Sequence, residues 1–129
     1  MNRVLNVPGQ GVEDMLRGIL VAHPERPQSD GKPRVISKTR PSEQGRVGIV
    51  TGGGSGHEPA ILGYVGPGLV DAGAVGEIFL APTAKSFFDA FRAAEPGAGN
   101  ACLYGNYAGD KMNVNLASKI ADRRYIQVR

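Results

Sequence analysis

The stretch VGIVTGGGSGHEP, residues 47–59, joins a short apolar segment to a run that contains four glycines, a serine and a histidine. Each glycine loses more backbone entropy on folding than other residues do, and it adds no side-chain packing. Such glycines are expected where the backbone turns through positive φ or approaches a ligand closely. His57 adds an imidazole that exchanges protons near neutral pH. The stretch predicts a buried strand over 47–51 that leads into a glycine loop, which we interpret as part of a small-molecule site.

The segments on either side of this stretch alternate between helix-like and strand-like patterns. Apolar residues recur at helical spacing from Val12 to Leu20, and we expect this helix to end at His23 because proline follows. Strands that alternate with helices favour an α/β fold, with a mostly parallel or mixed sheet and flanking helices. The other predicted elements are strands over 35–37, 75–80, 101–104 and 125–129, helices that open at Pro59 and Pro82, and a helix over 112–121.

The length of 129 residues and the hydrophobic content of 41% suit one globular domain with a core. The last predicted strand is not followed by the crossover helix that a parallel strand normally has. We therefore expect a sheet that is incomplete at its C-terminal end. Residues 1–129 are therefore expected to form the N-terminal part of a domain.

Charge and cysteine content exclude several classes of function. The net charge is +3, and the basic residues are scattered without interleaved aromatic residues, so we expect no nucleic-acid partner. The single cysteine, Cys102, lies in an apolar stretch and predicts a buried structural thiol. The sequence contains neither an apolar run long enough to cross a membrane nor the pattern of a signal peptide, so we expect a cytoplasmic protein.

A second glycine-containing loop, GNYAGD at residues 105–110, follows another apolar strand. Ligands of open α/β sheets bind beyond the carboxyl ends of the strands, so neighbouring strands would bring His57 and Asp110 into one pocket. A histidine beside a carboxylate is a plausible acid/base pair, and the glycine amides would face ligand oxygens. Two simpler interpretations stay open: the glycines form only a tight strand–helix connection, and Asp110 only caps the following helix.

The familiar glycine motifs do not fit the sequence. A P-loop needs lysine after its last glycine, but His57 follows Gly56. The dinucleotide fingerprint and the nucleophile elbow around Ser55 both fail because their last glycine position falls on another residue. No second histidine follows His57 at zinc-binding spacing. The glycine run is therefore interpreted as a substrate pocket that belongs to none of these classes.

Five blocks of the sequence, at residues 52–59, 63–66, 76–79, 82–83 and 106–110, resemble the substrate-binding subunit of dihydroxyacetone kinases in order and spacing. These kinases phosphorylate a terminal hydroxyl of dihydroxyacetone or a related short ketose. Their phosphoryl donor is ATP-Mg on a separate domain or a phosphorylated partner subunit. The resemblance implies that His57 and Asp110 polarise the attacking hydroxyl. It implies that the substrate pocket is lined by Gly54, Ser55, Gly56 and His57.

Two departures from the family pattern qualify what the resemblance implies. Family members often place a substrate-contacting lysine where this chain has Gly105, and the extra space suggests a larger ketose such as erythrulose. The family also anchors its substrate covalently on a further histidine, for which the two histidines here, His23 and His57, offer no candidate. We therefore expect this chain to bind no cofactor and to be inactive alone.

The resemblance also implies partners, namely a small ketose and the rest of the kinase or a donor subunit. An incomplete sheet would leave apolar surface and a strand edge open, so we also expect a homo-oligomer. Two alternatives stay open. One is a non-catalytic ketose sensor or regulatory subunit of the same fold, although such a protein has no need to keep both His57 and Asp110. The other is a truncated gene product without a function of its own.

Overall fold

The described part of the chain contains five strands: β1 (Val35–Ser37), β2 (Gly48–Ser55), β3 (Ala72–Ile78), β4 (Asn100–Tyr104) and β5 (Tyr125–Val128). They form one open sheet in the order β1-β3-β2-β4-β5. The computed structural model describes residues 4–25, 27, 31–39 and 43–121, together with the backbone of 125–128. β1 is antiparallel to β3, whereas the β2–β3, β2–β4 and β4–β5 pairs are parallel. The predicted mixed α/β architecture is confirmed.

Among the described residues, three α-helices flank the sheet: α1 (Gly11–Ala22), α2 (Ala84–Ala94) and α3 (Ala108–Ala121). Short 3₁₀ helices cover Pro8–Gln10 and Leu62–Tyr64. The predicted end of α1 is confirmed, since its C-cap is His23, whose amide donates to the Ile19 carbonyl at 2.8 Å. None of the helices in the described part of the chain is both long and apolar enough to span a membrane.

Each face of the sheet carries its own hydrophobic core. On one face α2 and α3 pack against the strands, with Phe87 and Phe91 as the largest buried side chains. On the other face α1 and the 3₁₀ helix at Leu62–Tyr64 pack through Leu16 and Leu62. The sheet is thus the middle of three layers, and the carboxyl ends of β2, β3 and β4 emerge between them.

The prediction that residues 52–55 form a loop is wrong, because β2 continues through Ser55. Because glycine has no side chain, these residues leave room for the groups that pack on both faces of the strand. A β-carbon at Gly52 would collide with the Phe87 ring, and one at Gly54 would lie 2.8 Å from the Leu80 carbonyl oxygen. The pairing of β2 with β3 shifts between Gly53 and Ser55. Such a bulge re-aims the residues that follow it, and here these include His57.

The helix predicted to open at Pro59 is also wrong. Residues 59–61 form a turn, with the Gly63 amide bonded to the Pro59 carbonyl at 2.8 Å, before the single 3₁₀ turn at Leu62–Tyr64. Gly63 and the turn at 66–68 leave too little chain for a longer helix. This irregular connection forms one wall of the cavity described below.

Two other elements differ from expectation. β3 begins at Ala72 rather than residue 75 and ends at Ile78, because pairing with β1 and β2 extends it backwards. In α3 the buried face consists of Asp110, Val114 and Ala117. The residues whose spacing predicted that helix are mostly exposed: Met112 by 65%, Leu116 by 49% and Ile120 by 55%. The last residue of the predicted 125–129 strand lies outside the described residues.

Thr83 provides the N-cap of α2, and its side-chain oxygen accepts a hydrogen bond from the Ser86 amide at 3.1 Å. Replacing Thr83 with alanine is expected to lower the free energy of unfolding by about 1 kcal/mol, because a helix amide loses its partner. Urea denaturation followed by circular dichroism measures the change. Thr83→Ser keeps the oxygen and serves as the control; equal losses in both variants would contradict the capping role.

Candidate functional site

β2 and β4 are neighbours in the sheet, and Gly52 pairs with Tyr104. The carboxyl ends of the two strands therefore lie side by side, as expected for a ligand site of an open α/β sheet. A cavity of about 600 Å³ opens there. It is lined by Thr51, Gly52, Gly53, Gly54, His57, Ala60, Ile61, Tyr64, Leu69, Val70, Leu103, Tyr104, Gly105, Tyr107 and Asp110.

Asp110 is the buried acid of this cavity. It lies in the first turn of α3, where the helix dipole favours negative charge, and it is 5% exposed. Its Oδ1 atom has no hydrogen-bond partner among the described residues. Burial raises the pKa of the Asp110 carboxyl above its ordinary value, and the nearby His57 acts in the opposite direction. An unsatisfied buried carboxylate oxygen is available to a ligand hydroxyl.

His57 is exposed on the turn that follows β2. Two contacts hold this turn in place. The Gly56 amide donates to Oε2 of Glu58 at 2.7 Å, and the imidazole packs edge-to-face on the Phe79 ring at a centroid distance of 5.4 Å. The turn carries the imidazole to the cavity that Asp110 also lines. The expected convergence of His57 and Asp110 is observed, and their catalytic roles stay predictions.

Comparison with known proteins shows the family. Residues 17–129 match the Dak1 domain. The chain belongs to the Dak1 family. This membership confirms the resemblance to dihydroxyacetone kinases.

Two curated relatives show how the Dak1 chain compares in length. It is 40% identical over 128 residues to the dihydroxyacetone-binding subunit of PTS-dependent dihydroxyacetone kinase 1 from Listeria innocua, covering 99% of this chain and 39% of that protein. It is 44% identical over 117 residues to D-erythrulose kinase from Mycolicibacterium smegmatis, covering 91% of this chain and 20% of that protein. The chain thus spans about two fifths or less of these relatives.

Two solved structures share the fold of this Dak1 chain. Dihydroxyacetone kinase from C. freundii, in complex with AMP-PNP and Mg²⁺, matches with a TM-score of 0.85 at 30% identity, over 98% of this chain and 25% of the other. A dihydroxyacetone kinase operon co-activator matches with a TM-score of 0.82 at 31% identity, over 90% of this chain and 36% of the other. The fold therefore occurs both in a kinase and in a co-activator.

The other residues predicted for the Dak1 site divide into two groups. Gly54 and Gly105 line the cavity with His57 and Asp110. Ser55 and Gly56 do not: the Ser55 hydroxyl donates to the Gly76 carbonyl at 2.8 Å, and Gly56, at φ 104°, packs against Phe79. The structure therefore uses the Ser55 side chain to tie β2 to β3. Substrate binding by Ser55 and Gly56 stays a prediction.

Gly105 leaves space beside the buried acid. A β-carbon at this position would lie 3.3 Å from Cδ2 of Tyr107 and 3.5 Å from Oδ2 of Asp110. Any longer side chain would therefore start directly next to the carboxylate. A lysine here would place a cation over Asp110, whereas glycine leaves the cavity wider at that point.

The sequence interpretation missed the apolar wall of the cavity. Tyr64, Leu69, Leu103 and Tyr107 line it, and each is at least half exposed. Tyr64 and Leu69 come from the irregular connection between β2 and β3, in which Tyr64 was expected on a helix and Leu69 lies beyond its expected end. Two residues could have indicated this wall: Leu103 precedes the 105–110 loop and Tyr107 lies in it. Large exposed apolar side chains beside a predicted site mark binding surfaces.

The remaining chemistry-bearing groups do not suggest a metal or redox site. Within residues 4–25, 27, 31–39 and 43–121, no three His, Cys, Asp or Glu side chains are placed to hold a metal ion. Cys102 is fully buried in β4, and burial together with the charge of Asp110 raises the pKa of its thiol to about 12. A thiol with such a pKa stays protonated at neutral pH, which confirms the prediction of a structural cysteine.

Proposed function

We propose that this chain is the substrate-binding part of a kinase that phosphorylates a terminal hydroxyl of dihydroxyacetone or a related short ketose. The observation that carries the proposal is the presence of His57 and Asp110 in one cavity at the carboxyl ends of β2 and β4. The curated relatives named above, a dihydroxyacetone-binding subunit and an erythrulose kinase, support the choice of substrate class.

The chemistry proposed for the site is in-line phosphoryl transfer. The terminal hydroxyl oxygen of the ketose attacks phosphorus, its proton passes to the His57–Asp110 pair, and the donor leaves on the opposite side of phosphorus. Asp110 suits this role because its buried Oδ1 has no partner within the described part of the chain. Its pKa is also raised, which makes the carboxylate a stronger base. His57 then orients the hydroxyl or shares its proton.

The width of the cavity determines which substrate fits. The cavity of about 600 Å³ is larger than a triose requires, and Gly105 adds space beside Asp110. We propose that Gly54 and Gly105 contact the substrate through their backbones, as do Ser55 and Gly56 through their amides. A four-carbon ketose such as erythrulose fits this arrangement, and the identity with a D-erythrulose kinase supports it.

The donor and the remaining parts of the kinase are proposed to come from outside this chain. The donor is ATP-Mg or a phosphorylated partner subunit, and residues 1–129 serve as the N-terminal part of the substrate domain. The relatives it matches are subunits or domains of larger kinases, which supports other kinase parts as partners. We further propose that the chain forms homo-oligomers. We also propose that it is inactive alone, because its two histidines, His23 and His57, offer no candidate for the covalent substrate anchor of the family.

Ketose binding by the isolated chain tests the proposal. Dihydroxyacetone or erythrulose at about one hundred times its Kd is expected to stabilise the fold by about 2.7 kcal/mol, measured as a rise in melting temperature. Glycerol, which lacks the carbonyl, serves as the ligand control, and His57→Ala is expected to reduce the shift while His23→Ala leaves it unchanged. Absence of stabilisation by any short ketose would contradict the proposal.

A phosphorylation assay separates the kinase part from the second candidate, a non-catalytic ketose sensor. The likeness to an operon co-activator favours that candidate, and the joint retention of His57 and Asp110 favours the kinase. With ATP-Mg and ketose, the isolated chain is expected to form no ketose phosphate. Product is expected once the remaining kinase parts are added. Ketose binding without product under any of these conditions would favour the sensor, and turnover by the isolated chain would refute inactivity alone.

A further inference from the structure

Phe79 combines an unfavourable backbone with an exposed ring. Among the described residues other than glycine, it alone has a positive φ, at 55°. That region is costly for a bulky side chain. The residue is 69% exposed, so the burial of apolar surface offsets little of this cost. A residue kept in such a state is expected to serve the site rather than the core.

The surrounding contacts direct the ring toward the turn that carries His57. The Phe79 amide donates to the Ser55 carbonyl at 2.7 Å, which fixes the end of β3 against the end of β2. The ring then fills the space left by Gly56, where an added β-carbon would lie 2.8 Å from the Phe79 Cε1 atom. The positive φ and the glycine together allow the ring to reach the next side chain, the His57 imidazole.

The Phe79 ring meets this imidazole edge-to-face. The centroids are 5.4 Å apart and the planes are inclined by 73°. This is a favourable geometry for an aromatic pair. The Gly56–Glu58 hydrogen bond closes the turn that contains His57. Both contacts therefore act on the turn that brings the imidazole to the cavity.

We propose that Phe79 is a positioning residue for His57, which holds the imidazole in the orientation that the ketose hydroxyl requires. The inference deepens the proposed kinase function and rests on it for its catalytic consequence. Phe79 does not line the cavity, so it acts through His57 and not through the substrate. Without the ring, His57 samples other rotamers, and a misplaced reacting group lowers the rate by about 10- to 100-fold.

Nuclear magnetic resonance of the imidazoles tests this orientation directly in the 129-residue chain. The sequence has two histidines, so His23 provides an internal reference. In the wild-type chain the His57 ring protons are expected to show a ring-current shift from Phe79. Phe79→Leu is expected to abolish the shift and Phe79→Tyr to preserve it, while the His23 signals stay fixed in both variants.

A second variant separates positioning from folding. Phe79→Gly removes the ring but relieves the unfavourable φ, so its melting temperature is expected to equal or exceed that of the wild type. In the assembled kinase this stable variant is expected to lose about 10- to 100-fold in kcat with little change in KM, and Phe79→Tyr to restore kcat. A rate loss caused by unfolding would instead follow the melting temperature.

Two results would overturn the inference: unchanged His57 signals in Phe79→Leu, or wild-type kcat in Phe79→Gly. These outcomes are distinct from failure of the proposed function. If no short ketose binds or is phosphorylated by the wild-type protein, the function is wrong. The imidazole signals still report whether Phe79 orients His57.

Discussion

Replacing Asp110 with asparagine is expected to lower the rate of ketose phosphorylation in the assembled kinase by about 10²- to 10⁴-fold, the usual contribution of a general acid or base. Asparagine keeps the shape of the side chain but cannot accept a proton at neutral pH. The buried Oδ1 of Asp110 has no partner among the described residues, so it can accept a hydrogen bond that the proposed substrate hydroxyl donates. Steady-state kinetics measure the loss.

A second buried carboxylate provides the matched control. Asp89 in α2 is 7% exposed, and it pairs with Lys85 at 2.6 Å without lining the cavity. Asp89→Asn is expected to cost stability while leaving the rate per folded molecule near that of the wild type. Equal rates in Asp110→Asn and the wild type would remove Asp110 from the catalytic machinery.

The Asp110→Asn substitution is expected to raise the free energy of unfolding at pH 7, although it lowers the rate. The folded-state pKa of Asp110 is raised above its ordinary value of 3.8, so the folded chain binds this proton more tightly than the unfolded chain. The resulting stability is fully present below the unfolded-state pKa and is lost as pH rises through the folded-state pKa. At pH 7 the charge opposes folding, and the variant should unfold at a higher urea concentration. At pH 3 the difference should shrink, and a destabilised variant at pH 7 would contradict the sign.

Replacing Gly76 with alanine is expected to lower the free energy of unfolding by about 3 kcal/mol, at the upper end of ordinary overpacking. An added methyl group would collide with the Leu80 carbonyl oxygen and would lie 2.9 Å from the Ala81 carbonyl carbon and the Pro82 nitrogen. These are backbone atoms of the link into α2 and cannot rotate aside. The Gly76 carbonyl also accepts the Ser55 hydroxyl, so a displacement would break that bond.

Urea denaturation followed by circular dichroism measures this loss. Gly18→Ala is the control, because Gly18 lies exposed in α1 with no heavy atom within 4 Å of the added β-carbon. That change is expected to stabilise the chain by about 0.5 to 1 kcal/mol through helix propensity. A Gly76→Ala variant as stable as the wild type would show that the link to α2 moves freely.

Elements with local signals could be predicted from the sequence. α1 follows its apolar spacing and ends before Pro24, and α2 begins after the Thr83 cap. The extension of β2 through its glycines could not be predicted, because glycine has a low strand propensity and only the layers on both faces explain it. The turn at Pro59 was not predicted for a similar reason, because tertiary packing rather than local sequence determines the backbone conformation there.

The site was predicted on the condition that two strands are neighbours in the sheet. β2 and β4 are neighbours, and His57 and Asp110 line one cavity beyond their carboxyl ends. The use of the Ser55 hydroxyl and the contact of Phe79 with His57 depend on β3, whose position beside β2 the sequence does not specify. Contacts between segments that are far apart in the sequence leave no local pattern from which they could be predicted.

The glycines of β2 also bear on how the family diversifies. Gly52 and Gly54 are surrounded so closely by Phe87 and by the Leu80 backbone that a single methyl group would not fit at either position. Selection for folding alone is therefore sufficient to preserve them over evolutionary time, even in a descendant that has lost its ligand. In an alignment these glycines would diagnose ancestry. On the proposed function, the joint survival of His57 and Asp110 would be the sign of a retained catalytic pair.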